Sequence, residues 1–127
     1  MIHTPPASLF FILLTVAFTV VGQLLVKRGM LQVGSSPEHA TLVPWFVWKA
    51  LTNLNVALGL AAAVAAAISW TIAISRSELS FAYPFMGLAI VLVLALSGSV
   101  FDERVPAGRW IGVGLVCLGL IVAARAR

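Results

Sequence analysis

The chain has 127 residues, 61% of them hydrophobic and only 9% charged, with a formal net charge of +4. Soluble domains carry about a quarter charged residues, so this composition excludes a water-soluble globule and leaves an integral membrane protein. One cysteine, Cys117, excludes an intramolecular disulfide and a cysteine metal cluster. The small positive charge bears on topology and anionic lipid rather than on nucleic acid.

A chain of this length holds four spans of about 20 residues. Backbone groups in lipid must pair within their own segment, so the spans are helices; the period-two alternation of a membrane barrel is missing. The N-terminal MIHTPPASLFF lacks Lys and Arg and reads as the start of span one, not as a cleaved signal. Pro5 and Pro6 precede that span, which covers residues 8–26. A loop over 29–53 follows. Its stretch LVPWFVWKAL clusters Trp45, Phe46 and Trp48, which suits the membrane interface. That stretch is either a short helix lying in the interface or the first turns of span two. Spans two, three and four cover 54–75, 81–100 and 108–124, the last closed by Arg125 and Arg127. Short links make these three antiparallel neighbours in a single four-helix domain.

The N-terminal side, side A, carries Arg76, Arg125 and Arg127. Side B carries Lys27, Arg28, Lys49, Arg104 and Arg109. The bias towards a cytoplasmic side B is small, as an antiparallel or dual-topology assembly tolerates.

Residues 18–29 read FTVVGQLLVKRG. Thr15, Thr19, Gln23 and Lys27 recur every four residues and share one drifting helical stripe. Either Thr and Gln bond across a helix interface while Lys27 snorkels to the headgroups, or the stripe faces a wet cleft in which the amine attracts an anion. The link SVFDERVPAGRW lies on the same side as Lys27 and Arg28, within reach of Asp102 or Glu103. The same acids also suit the N-terminus of span four. On side A, ISRSELSFAYPF places Pro84 just inside span three, as a first-turn proline or as an opening of the backbone beside a cavity. Tyr83 is an interfacial anchor or a cavity wall, and Arg76 and Glu78 are solvated loop charges. In span four, Gly112 and Gly119 are seven apart and Gly108 and Gly112 form GxxxG, which marks a close-packing face. His3 and His39 stand alone. No nucleophile elbow, metal-ligand cluster or phosphate loop is present.

Together and in order, VVGQLLVK, ISRSELSFAYPFMGL and FDERVPAGRWIGVGLVCLGLIV resemble the four-helix members of the drug/metabolite transporter superfamily. The resemblance covers nearly the whole chain, with the long first loop the weakest part. One branch is the small multidrug resistance transporters; the other is the short EamA-like proteins, including subunits of the aminoarabinose–phosphoundecaprenol flippase. The first branch carries a membrane-embedded glutamate three residues before the glycine matching Gly22, and a tryptophan three residues after the tyrosine matching Tyr83. Those positions are Thr19 and Met86 here. No acid lies within any span, so proton-coupled cation export lacks its central group; threonine does not titrate near neutral pH. The flippase subunits match at Gly22, Gln23, Lys27, Ala82, Tyr83, Pro84 and Glu103.

The resemblance implies an all-α, small-multidrug-resistance-like bundle working as a dimer. Helices one to three would line the pathway, and Gly112 and Gly119 of helix four would join the copies. It implies translocation of a polyprenyl-phosphate-linked sugar, or a similar anionic glycolipid, across the bacterial inner membrane. Gln23 and Lys27 would hold phosphate or sugar, with Thr19 and Asp102 beside them. Tyr83 would line the cavity, and Glu103 would pair with Lys27 or with an amine on the sugar. The implied partners are the lipid-linked sugar, membrane lipids and a second copy or homologous chain, with no cofactor, metal, nucleic acid or enzymatic activity. The alternatives are a small-solute exporter of drugs, guanidinium or polyamines, and a non-transporting subunit of a heteromeric transporter.

Overall fold

The computed structural model describes residues 6–126; the expectations for His3, Pro5 and Arg127 lie outside them. The first helix, α1 (Pro6–Val33), has 28 residues and is about 42 Å long, well beyond the ~30 Å hydrocarbon core. The expected end of this span at residue 26, with loop from residue 29, is corrected. Gly29 does not break the helix because it packs against Asn53 and Val56, where any side chain would collide. The helix stops at Gly34, whose φ of 105° is open to glycine and whose amide donates to the Met30 carbonyl at 2.9 Å.

After a 3-10 turn at Ala40–Leu42 comes α2 (Val43–Leu51), nine residues long. It is a separate short helix, not the first turns of the next span. The break is made by Asn53, whose backbone is extended and whose Oδ1 accepts from the amides of Asn55 at 3.0 Å and Val56 at 3.2 Å. This is an N-cap. The same asparagine and Asn55 donate through Nδ2 to Gln32 Oε1, at 3.1 and 3.0 Å, and so tie the end of α1 to the start of α3. Trp45 and Trp48 are exposed, and the Lys49 ammonium lies 5.2 Å from the Trp45 ring centroid.

The helix α3 (Leu54–Ser75) packs antiparallel along α1. Small residues permit it. A Cβ on Gly59 would stand 2.8 Å from the Gly22 carbonyl oxygen and 2.9 Å from the Val26 nitrogen, so the two backbones touch. The third span is composite: α4 (Leu79–Ala82), a 3-10 stretch at Tyr83–Met86 containing Pro84, then α5 (Gly87–Val100). Proline supplies no amide hydrogen for the α-helical ladder, and the chain narrows to 3-10 geometry there. The last helix is α6 (Ala107–Arg125).

Four helical runs, Ala7–Val33, Leu54–Ser75, Leu79–Val100 and Ala107–Arg125, are long and apolar enough to cross a membrane. The chain is an all-α, multi-pass membrane protein. Its core has two parts. Near side A, Ile12, Ala73 and Ala82 are buried together, with Phe11, Trp70, Ile74, Phe81 and Phe85 around them. Further along, Val16 and Val20 of α1 meet Ala89 of α5. Both parts lie where α1 contacts α3 and the third span. In α6 no described residue is buried; it leans on α5 through Leu120, which covers Gly87.

Candidate functional site

Helix α1 turns Gly22 and Val26 to α3, and Val16 and Val20 to α5. Positions four apart drift by about 40° around a helix. The stripe Thr15, Thr19, Gln23, Lys27 therefore starts beside α3 and ends beside α5, following the crevice between them. Along that crevice it opens into two polar cavities.

The first, of about 270 Å³, lies near side B and is lined by Gln23, Leu24, Lys27, Val93, Ser97, Phe101 and Glu103. Lys27 Nζ stands 3.7 Å from Glu103 Oε1, with the two side chains 50% and 44% exposed. That separation is longer than a hydrogen bond, and a pair this open to its surroundings stabilises a fold by only about 0–1 kcal/mol. Its consequence is chemical: an ammonium and a carboxylate face one cavity, both accessible. Ser97 donates to the Leu94 carbonyl at 3.1 Å, which leaves its oxygen free to accept. Gln23 also borders an apolar cavity of about 370 Å³ between α1, α5 and Val113 of α6.

Depth follows from the pairing of α1 with α3. Gly29 meets Val56 near one end, and Ile12 clusters with Ala73 near the other, so the midpoint of α3 falls opposite Val20 and Val21. Lys27 is six to seven residues further on, about 10 Å from that level, against a hydrocarbon half-thickness of about 15 Å. The long Lys27 side chain reaches from that depth towards side B, where its ammonium is half exposed beside Glu103.

The second cavity, of about 210 Å³, is lined by Thr15, Thr19, Ala66, Ala67, Trp70, Tyr83 and Met86. Thr15 is buried and donates to the Phe11 carbonyl at 2.7 Å. Tyr83, 61% exposed, stands edge-on to Trp70 with centroids 5.6 Å apart. Trp70 was not singled out in the sequence. It is the one large aromatic in an alanine-rich span, and its place at a cavity wall follows from the packing of that span against α1 and Tyr83.

The candidate residues thus separate into Gln23, Lys27 and Glu103 at one station and Thr19 and Tyr83 at another. Asp102 lines neither cavity. It is exposed with φ 54°, a turn conformation that carries Glu103 rather than Asp102 to Lys27. The alternative that these acids cap span four does not hold, because α6 begins at Ala107 behind Pro106 with no acid in its first turn. Arg28 makes no ion pair among the described residues. Gly112 and Gly119 lie on α6, where an added Cβ would meet nothing within 4 Å. Cys117 borders an apolar cavity between α5 and α6. Among the described residues no group of three metal-ligating side chains forms.

No family model matches the chain, and no solved structure matches it. Named relatives do. The chain is 28% identical over 120 residues to a probable 4-amino-4-deoxy-L-arabinose-phosphoundecaprenol flippase subunit ArnE of Pseudomonas fluorescens, covering 93% of this chain and 97% of that one. It is 32% identical over 111 residues to the ArnE subunit of Serratia proteamaculans, covering 87% and 90%. It is 34% identical over 113 residues to the ArnF subunit of Sodalis glossinidius, covering 87% and 85%. Likeness of this degree across nearly full length, to subunits of both kinds, means that the chain belongs to the 4-amino-4-deoxy-L-arabinose-phosphoundecaprenol flippase subunit family.

Proposed function

We propose that the protein translocates a polyprenyl-phosphate-linked amino sugar, or a closely similar glycolipid, across the bacterial inner membrane. The observation that carries this reading is the Lys27–Glu103 pair, open to a cavity on the α1 polar stripe. The named relatives' substrate has a phosphodiester and an amine in one headgroup. The phosphodiester matches Lys27 and the Gln23 amide, and the amine matches Glu103. A headgroup of this kind exchanges one ion pair for two, so neither protein charge is stranded in a medium of low dielectric. The polyprenyl tail stays in lipid beside α5.

One copy does not enclose a headgroup: both polar cavities are open, and their flanks are exposed. The working unit is a dimer with a second copy or a homologous four-helix chain, joined through α6. That relatives are named as subunits of two kinds supports a heteromeric partner.

The test is reconstitution into vesicles with a labelled polyprenyl-phosphate aminopentose, alone and with the homologous chain. Lys27→Ala is expected to lower flipping at least about tenfold, the usual consequence of losing a charged hydrogen bond. Equal flipping by wild type and variant removes Lys27 from the site. A proton-driven cation flux in place of lipid flipping sinks the reading itself.

A further inference from the structure

The charged cavity accounts for phosphate and amine, but leaves the cavity of Thr15, Thr19, Trp70, Tyr83 and Met86 without a task. We infer that this second cavity is a carbohydrate station near the membrane midplane, which takes the uncharged face of the sugar ring. The inference rests on the flippase reading and adds a residue-level site to it.

Three observations carry it. First, no ionisable group lines the cavity except the Tyr83 phenol, so it has nothing with which to hold a phosphate or an amine. Second, its walls include an indole and a phenol at an interplanar angle of 81°, with Thr15 and Thr19 among the lining residues. Aromatic faces are electron-rich and attract the slightly positive C–H bonds of a sugar ring, while the polar tips bond its hydroxyls. Pockets with mostly apolar walls and a few placed polar groups bind small ligands of this type. Third, it lies on the same stripe as the charged station. Thr19 precedes Gln23 by one turn, about 6 Å, so a headgroup passes from one to the other without leaving the crevice. Neither the Thr19 hydroxyl nor the Trp70 indole N–H takes part in the side-chain hydrogen bonds formed among the described residues. Within the hydrocarbon layer both seek a partner, and a sugar hydroxyl supplies it.

The experiment compares two singly charged probes on protein in nanodiscs: a short-chain polyprenyl phosphodiester bearing a neutral pentose, and the methyl phosphodiester of the same polyprenol, which has no sugar. Wild type is expected to bind the sugar-bearing lipid roughly five- to tenfold more tightly, the scale of one good aromatic contact. Trp70→Leu and, independently, Thr19→Val are expected to narrow that ratio towards one while leaving the sugarless lipid unchanged. Trp70→Phe is expected to restore part of it. Lys27→Ala is expected to weaken both lipids and keep the ratio. Because Trp70 also touches the core, Thr19→Val serves if Trp70→Leu does not fold. A ratio unmoved by both variants overturns the station while leaving the flippase reading in place. Binding of neither lipid by wild type overturns both.

Discussion

Lys27 stands on α1 and Glu103 on the link between α5 and α6, 3.7 Å apart and about half exposed. Such a pair is a weak staple and an accessible site, and the two roles separate on mutation. Glu103→Gln is expected to shift the apparent melting temperature by no more than about 4 °C. The same variant is expected to lose preference for an amino sugar over its N-acylated form in the vesicle assay. A collapse in stability on Glu103→Gln contradicts the assignment, because it makes the pair structural. At this scale the sequence was readable where spacing decides. Residues four apart share a stripe, so Thr19, Gln23 and Lys27 were legible as one. It was unreadable where backbone geometry decides. Asp102 and Glu103 are neighbours of identical charge, and only the turn at φ 54° selects the second. Trp70 was hidden for another reason: on an apolar span, nothing local distinguishes a cavity wall from a lipid-facing ring.

Among the elements, the α1–α3 pair is the most tightly specified. Gly22 and Gly59 bring two backbones into contact, and Gly59→Leu forces several carbons into that contact. Overpacking costs about 1–3 kcal/mol or more, so the variant is expected to unfold at visibly lower temperature or denaturant than Gly114→Leu, whose site is open. The cap at Asn53 is a second check. Asn53→Ala removes two backbone bonds and a link to Gln32, and is expected to cost about 1–2 kcal/mol in an unfolding titration. The span positions were visible from apolar runs alone. The continuation of α1 to Val33 was not, because glycine inside a helix reads as a stop until its tertiary contact is known. The break within the third span had a local cause in Pro84, and both of its readings were open beforehand.

For the molecule as a whole, α6 is the informative helix. Its glycines are uncovered, and none of its described residues is buried. If α6 joins two chains, Gly112→Leu with Gly119→Leu is expected to yield a folded monomer, read as a halved protein mass in detergent by light scattering, with transport lost. An unchanged dimer would place the interface elsewhere. The composition made the membrane class and the all-α fold legible at once. A partner for α6 was not, since a packing face names none. The sparse hold on α6 also bears on the life of the protein in the cell. The α1–α3 pair closes on its own contacts, whereas the last helix is held lightly, through Leu120 over Gly87. If a second subunit covers α6, a copy made in excess is expected to expose this helix to membrane proteases and to be cleared first from its C-terminal end. Subunit supply would then be matched by degradation rather than by synthesis, and a pulse–chase comparison with and without the partner chain measures it.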